Sequence, residues 1–509
     1  MLEARQNKLS LWRSQGRAFP NNFQPDARIQ ALIKQYHDAE DEDWEQTPQF
    51  KLAGRIMRKR MMGKAGFFTL KDQSGNLQIY LRQNDLSTDK PTAQTLYQEF
   101  KDSDIGDIVG VSGQLMRTQT GELTLRANQF TLLSKSLRPL PDKHKGLADL
   151  QTRARRRYLD LLLNQNQIAL FRSGMNTAVR QFLDSRDYLE VETPMMHPIP
   201  GGANALPFIT HHNSLGQDLY LRVAPELYLK TLLVGGLERI YELNRNFRNE
   251  GVSTRHNPEF TMLEFYCAWA NWHYGMEQTE QLLRATALQV TAHDQLDCSN
   301  HQTSEQLEDA TVSFQLPFRR ISMVESVAQA LHTDWQQLTD PQTLIQLARK
   351  TPEVQEEASA WNPNTDWGFM INRLFEKKVE RHLWQPTFVT HYPLSISPLA
   401  RACTDAPESV GGMHPIAERW ELIITGKELA GGFSELNDPE EQRKRFELQT
   451  QLRESGNEEA MHYDTDFIEA LEYGMPPATG VGIGLDRLLM LLTNSASIRE
   501  VILFPQVRQ

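Results

Sequence analysis

Two runs of residues in this chain carry types that could do chemistry. Phe247-Arg248-Asn249-Glu250 is followed closely by Arg255-His256-Asn257-Pro258-Glu259-Phe260. An arginine with an acid two positions on, a basic loop and an aromatic ring is a set able to grip phosphate and adenine. A guanidinium makes charge-assisted, bidentate contacts to phosphate oxygens, and an aryl face stacks on a base. More than two hundred residues downstream the chain reads Gly480-Val481-Gly482-Ile483-Gly484-Leu485-Asp486-Arg487. Alternating glycines let backbone come close to a ligand, and Arg487 adds a second guanidinium. Together the two runs fit one task, the holding of a bent nucleoside triphosphate.

The elements that must position these side chains follow from alternation. Ile240, Glu242, Asn244, Asn246 and Arg248 share one face of a strand, and Tyr241, Leu243, Arg245 and Phe247 share the other. The polar face can floor a wet site while the apolar face packs behind it. A loop over 251–258 follows, and alternation resumes with Phe260, Met262, Glu264 and Tyr266 on one face. This arrangement predicts strand, loop, strand, with Arg248 at one lip for the α-phosphate and Phe260 at the other for adenine. Glu250 and Asn257 can meet the adenine edge or order the loop, and Arg255 and His256 suit the outer phosphates. Glu421 and Glu428 flank Thr425-Gly426-Lys427, which reads as a tight turn that sets the two carboxylates on neighbouring strands. Paired carboxylates facing phosphates suit Mg²⁺, which prefers hard oxygen ligands.

At 509 residues the chain is too long for one ordinary core. Residues 1–45 read as a charged helical extension, with Ile29, Leu32 and Ile33 at helical spacing. Residues 46–140 hold several short strand-like runs with turns at Ser74-Gly75 and Thr120-Gly121, the pattern of a small barrel of the OB type. A proline-containing linker spans 141–164. Residues 165–509 read as mixed α and β, with a mostly helical insertion over about 275–385. The fold class is α+β. The basic run Lys51, Arg55, Arg58, Lys59, Arg60, Lys64 lies on the barrel, and Arg153, Arg155, Arg156 and Arg157 form a second cluster. The net charge of −11 argues against indiscriminate nucleic-acid binding. The start of the chain has no apolar h-region, and no apolar run nears the ~20 residues of a membrane span. Three widely spaced cysteines with no CxxC pair exclude a disulfide framework. A cytoplasmic protein with no membrane partner is expected.

The phosphate-gripping runs resemble motifs 2 and 3 of the class II aminoacyl-tRNA synthetases. The stretch 180–194, ending Tyr188-Leu189-Glu190-Val191-Glu192-Thr193-Pro194, is similar to motif 1, a helix and strand at a dimer interface. Pro200-Gly201-Gly202-Ala203, Ala224-Pro225-Glu226-Leu227-Tyr228-Leu229-Lys230, the stretch 244–264, Phe433-Ser434-Glu435-Leu436-Asn437-Asp438 and Ile502-Leu503-Phe504-Pro505 resemble bacterial class II lysyl-tRNA synthetases. The resemblance runs from about residue 50 to the end. It implies an OB barrel, a catalytic domain on an antiparallel sheet flanked by helices, and a homodimer with Pro194 at its interface. It also implies ATP, L-lysine and tRNA-Lys as ligands, with Arg248 and Arg487 catalytic.

The remaining acids suit lysine, because a buried ammonium needs opposite charge and acceptors. Glu264, Glu435 and the Tyr266 hydroxyl are assigned to the side-chain ammonium and Glu226 to the α-amino group. The Gly202 backbone and Arg248 lie near the carboxylate, and the resemblance adds Phe433 and Gly484 to the lysine set. An aspartate-specific relative would need a cation here, and none stands out. On the barrel, Phe67 is placed to stack on an anticodon base, Gln78 to read a base edge and Glu122 to accept from a uracil N–H. One departure matters: the family usually carries asparagine where this chain has Gly431. The longer stretch 403–413 has no assigned role. Two other readings remain, a protein-lysylating paralogue, which lacks the barrel, and a non-catalytic tRNA-binding protein.

Overall fold

The computed structural model describes residues 2–37, 44–86, 89–141, 147, 149–163, 167–302, 310–404, 406 and 414–507. Most of 403–413 lies outside them, as do 142–146 and 164–166 in and beside the linker. The chain divides into two units, Met1–Gly146 and Leu147–Gln509.

In the first unit the strands Phe50–Met62, Ala65–Lys71, Asn76–Arg82, Ile108–Arg117 and Leu123–Ser134 close into a barrel. Alternation builds its interior. Phe68 and Leu70 from the second strand, and Leu77, Ile79 and Leu81 from the third, are buried. Their neighbours Phe67, Thr69, Gln78 and Tyr80 face the other way. The Ser74-Gly75 turn forms because Asp72 Oδ1 accepts both backbone N–H groups, at 2.7 and 2.9 Å. The helices Leu2–Ser14 and Ile29–Tyr36 add Trp12, Ile29, Leu32 and Tyr36 to the barrel core.

The second unit is built on an eight-stranded mixed sheet. Its order is Arg319–Ser322, Thr387–Thr390, Arg419–Ile424, Lys427–Ser434, Ala478–Gly484, Glu259–Ala268, Arg239–Phe247, Leu189–Glu190. The inner pairs are antiparallel, and each edge pair is parallel. The helices Ile168–Asp184, Trp272–Thr291 and Leu485–Leu492 bury Met175, Val179, Leu283 and Leu488 against Tyr241, Leu263, Phe265 and Val481 on one sheet face. That cover leaves the polar residues of the opposite face to form the site.

The stretch expected as one helical insertion is composite. Trp272–Thr291 packs on the central sheet, and Gly275 permits the contact: a Cβ there would lie 2.9 Å from Thr479 Oγ1. Arg319–Ser322 joins the sheet edge. The later helices, Met323–Ala330, Pro341–Arg349 and Trp367–Lys378, share a second core with Val327, Leu344, Trp361 and Leu374, which covers Val389 and Ile423 on the sheet's outer strands. Helical periodicity names an apolar face but not the surface that covers it.

Candidate active site

The strands Arg239–Phe247 and Glu259–Ala268 pair antiparallel, with Glu242 opposite Glu264 and Asn246 opposite Phe260. The loop between them closes where Arg248 N–H donates to Pro258 O at 2.9 Å. Ser253 Oγ accepts from the backbone N–H groups of Arg255 and His256, both at 3.0 Å, which fixes the basic turn. Of the two roles open to Asn257, the structure favours ordering the loop. It is buried, it donates to Glu259 O at 2.6 Å, and its Oδ1 accepts from Gln506 N–H at 3.3 Å. Glu250 is exposed. The Arg248 guanidinium lies 5.1 Å from the Phe260 ring centroid, and its buried Nε has no hydrogen-bond partner among the described residues.

The glycine strand Ala478–Gly484 runs between Glu259–Ala268 and Lys427–Ser434. Gly482 sits opposite Glu264 on one side and Gly431 on the other. Gly484 caps the helix Leu485–Leu492, whose first turn carries Asp486 and Arg487. Arg487 Nη1 donates to Glu428 O at 2.5 Å, and Nη2 lies 3.4 Å from His256 Nε2. Arg248, Glu250, Arg255, His256, Asn257, Phe260, Glu428, Gly482, Gly484 and Arg487 line one cleft. Gly484, expected with the lysine set, lines this cleft. Burial, and then the charges of Arg487, Arg255 and Arg248, push the His256 pKa down and favour its neutral form.

Beside this cleft lies a buried acidic pocket. Glu226, Glu264 and Glu435 are each under one-tenth exposed, and Tyr266 O–H donates to Glu264 Oε2 at 3.2 Å. Burial, then the charges of Glu226 and Glu242, push the Glu264 carboxyl up to about 8. Glu242 is neutralised by Arg222 at 2.8 Å and accepts from Thr193 Oγ1 at 2.7 Å. Asn246, fully buried on the same strand face, has both amide atoms without hydrogen-bond partners among the described residues. Gly202, at φ +87°, packs on the first residue of the helix Glu226–Val234: a Cβ there would stand 3.2 Å from Glu226 Cβ.

This pocket also holds a cation, which the sequence reading did not find. Lys230 is fully buried, and its Nζ pairs with Glu226 at 2.8 Å and Glu435 at 2.5 Å, 5.3 Å from the Phe433 ring. Burial opposes its charge, yet the two carboxylates hold its pKa above the usual lysine range.

Glu421 and Glu428 lie on the hairpin Arg419–Ile424, Lys427–Ser434. Thr425 and Gly426 both take positive φ, 53° and 66°, as a two-residue turn of the I′ type requires. A Cβ on Gly431 would come 3.6 Å from Glu421 Cγ and 3.8 Å from Glu428 Oε1, so both acids flank that glycine. Glu421 accepts from Tyr392 O–H at 2.8 Å and Arg419 Nη2 at 2.6 Å. Burial and the charge of Glu428 push its pKa up.

In the barrel unit, Phe67 and Tyr80 are register partners with ring centroids 4.9 Å apart. Gln78 Nε2 donates to Thr124 Oγ1 at 3.0 Å, and exposed Glu122 lies two residues before Thr124. The basic run is only partly available to a ligand. Lys59 Nζ caps the helix Lys90–Asp102 through Phe100 O and Ser103 O, and Arg55 Nη1 donates to Gly106 O at 2.6 Å. Arg157, from the second cluster, is buried against Asp160 and the carbonyls of Leu503 and Ile502.

The family described as tRNA synthetases class II (D, K and N) matches residues 149–508, and that described as OB-fold nucleic acid binding domain matches 50–133. The chain is 49% identical over 508 residues to the lysine–tRNA ligase of Legionella pneumophila (strain Paris), covering 99% of this chain and 97% of that protein. It is 47% identical to the lysine–tRNA ligases of Azoarcus sp. (strain BH72) and of Nitrosomonas europaea (strain ATCC 19718), covering all of this chain and 97% of each relative. The chain belongs to the class II lysyl-tRNA synthetases. The synthetase match spans every cleft and pocket residue, and the OB match spans Phe67, Gln78 and Glu122.

Sequence reasoning missed Lys230 and the pairing of Arg222 with Glu242. Lys230 is legible only as a helix neighbour of Glu226, four positions on, which reads as a surface pair. Arg222 and Glu242 are twenty residues apart, and only the fold joins them. Pro194 is exposed, near exposed Leu189, Met195 and Met196. No helix among the described residues is long and apolar enough to cross a membrane.

Proposed function

We propose that the chain activates L-lysine with ATP and transfers it to the 3′ end of tRNA-Lys. The observation that carries this reading is the adjacency of a cleft framed by Arg248, Phe260 and Arg487 to a buried pocket of three carboxylates. In the first step the lysine carboxylate attacks the α-phosphorus in line, forming a C–O–P bond as the bond to pyrophosphate breaks. In the second, the terminal ribose hydroxyl of the tRNA attacks the lysyl carbonyl and AMP leaves. Arg248 takes the α-phosphate, Phe260 stacks on adenine, and Arg255 and Arg487 hold the outer phosphates. Glu226 takes the α-amino group, and Glu264, Glu435 and Tyr266 take the side-chain ammonium. Catalysis is then positioning and charge neutralisation, with no protein nucleophile.

Glu421 and Glu428 fit Mg²⁺: two hard oxygen donors flank Gly431, and burial first, then the charge of Glu428, raises the Glu421 carboxyl. Among the described residues no cluster of three or more ligands forms. Two carboxylates sharing an ion with nucleotide phosphates is the usual Mg²⁺ arrangement. The ion would supply charge neutralisation for the triphosphate.

Phe67, Gln78 and Glu122 are the proposed anticodon face, supported by the OB-fold match. The barrel also disfavours the protein-lysylating paralogue. Exposed Leu189, Met195, Met196 and Ile209 support a homodimer that includes Pro194, and a role in tRNA charging supports a cytoplasmic protein. ATP–pyrophosphate exchange with each amino acid, followed by charging of total tRNA, tests the reading. Exchange with lysine alone and charging of tRNA-Lys are expected; no exchange would leave a binding protein.

A further inference from the structure

Lys230 is out of place for an ordinary helix-surface lysine. It is fully buried, it spans Glu226 on its own helix and Glu435 beyond the strand Lys427–Ser434, and the Phe433 ring lies 5.3 Å from its Nζ. Its Nζ also donates to the carbonyl of Leu399, at 3.4 Å. Removing one member of a buried ion pair leaves an uncompensated charge, so this position is energetically exacting.

Charge counting gives Lys230 a role. Glu226, Glu264 and Glu435 share the pocket, Tyr266 is neutral, and Glu242 is neutralised by Arg222. With the single ammonium of Lys230, the fully ionised pocket keeps a surplus of two negative charges. A free lysine brings two ammonium groups, and its carboxylate belongs to Arg248. The surplus matches the ligand only because Lys230 is present. Geometry agrees: Lys230 engages Oε1 of Glu226 and Oε2 of Glu435, and the other Glu435 oxygen, Oε1, is buried with no hydrogen-bond partner among the described residues. That oxygen lies against Gly480, where a Cβ would come within 2.2 Å of it.

We infer that Lys230 is a positioning residue for amino-acid recognition: its ammonium holds Glu226 and Glu435 as a separated pair of carboxylates, each with an oxygen left for one of the substrate's two ammonium groups. Without it the two acids face each other and Glu264 across a buried space, and the cluster recruits a proton that an incoming lysine must displace. This inference rests on the lysine-activation reading.

The test is lysine KM in ATP–pyrophosphate exchange, measured from pH 6 to 9.5 on the full chain. In the unaltered protein KM falls as pH rises toward about 8, where burial has raised both Glu264 and Glu435, and the Lys230 charge holds Glu435 from rising further. Lys230→Met keeps the side-chain volume and removes the charge. Its lysine KM at neutral pH rises at least about tenfold, and the falling limb moves to higher pH. Lys230→Arg keeps the charge and keeps the limb where the unaltered chain has it, whatever its KM. A packing role alone would leave the limb of the Met variant in place. A Met variant whose KM–pH profile coincides with that of the unaltered chain overturns the inference. If the Met variant does not fold, an Arg variant with a displaced limb overturns it instead. Absence of lysine-dependent exchange in the unaltered chain overturns the function reading and this inference with it, whereas normal exchange with an unmoved limb overturns only the role of Lys230.

Discussion

Asp486 Oδ2 accepts the backbone N–H of Thr261 at 2.8 Å, and so locks the residue after Phe260 to the helix that carries Arg487. Its other oxygen accepts from Arg172 on the helix Ile168–Asp184. One nearly buried carboxylate thus joins three distant segments and sets the spacing of the cleft's aromatic and its second arginine. Asp486→Ala strands the Arg172 charge and the Thr261 donor. It should cost about 3–5 kcal/mol in denaturant unfolding and raise the ATP KM. Unchanged stability would show that the link is idle.

Arg487→Ala should lower the exchange kcat by about 10²–10³, the usual loss of one preorganised donor to developing charge. Arg248→Lys should fall comparably, because an ammonium cannot make the bidentate contact of a guanidinium. Single-turnover formation of adenylate checks both.

Gly480 and Gly431 are predicted to differ sharply. A Cβ at 480 would meet Glu435 Oε1 at 2.2 Å and Tyr266 Cε1 at 2.4 Å, so Gly480→Ala displaces two lysine-pocket groups. Lysine KM should rise while ATP KM holds. At 431 the nearest atom to a Cβ is 3.6 Å away, so Gly431→Asn meets no clash at its Cβ. It should change lysine KM by no more than about threefold, since water can stand in for the amide. A larger change, or altered selectivity among lysine analogues, would mean that Gly431 has reshaped the pocket.

Lysine binding should release protons near neutrality. Glu264, raised to about 8 by burial first, binds its proton more tightly folded than unfolded. Its contribution to stability is full below its unfolded value and is lost as pH rises through about 8. Lysine supplies the missing counter-charge, so its Tm increment should be larger at pH 8.5 than at pH 6.5. Each proton released is worth at most about 1.4 kcal/mol per pH unit. Calorimetry in buffers of different ionisation enthalpy counts the protons; a pH-independent Tm increment contradicts the assignment.

Phe67→Ala should raise the tRNA KM in charging by about tenfold, in line with loss of one base–aromatic stack. Pyrophosphate exchange, which needs no tRNA, is the control. An unaltered tRNA KM would return Phe67 to the role of a partner for Tyr80, 4.9 Å away.

What the sequence determined by itself is local. Period-two alternation assigned the faces of Arg239–Phe247 and Glu259–Ala268, and Thr425-Gly426-Lys427 announced a tight turn, which the structure makes with positive φ at Thr425 and Gly426. The glycine run and Arg487 were legible for the same reason, since backbone freedom and charge are properties of single residues. The tertiary structure decided the rest. Lys230 and Glu435 are far apart in the chain, and no spacing rule connects them. The glutamate four residues before Lys230 looks like a surface partner until burial removes water and makes the pair a counter-ion. Helical periodicity could not tell that Trp272–Thr291 packs on the central strands while Trp367–Lys378 packs in a second core with the outer-strand residues Val389 and Ile423. An apolar face records that something covers it, and only long-range packing says what.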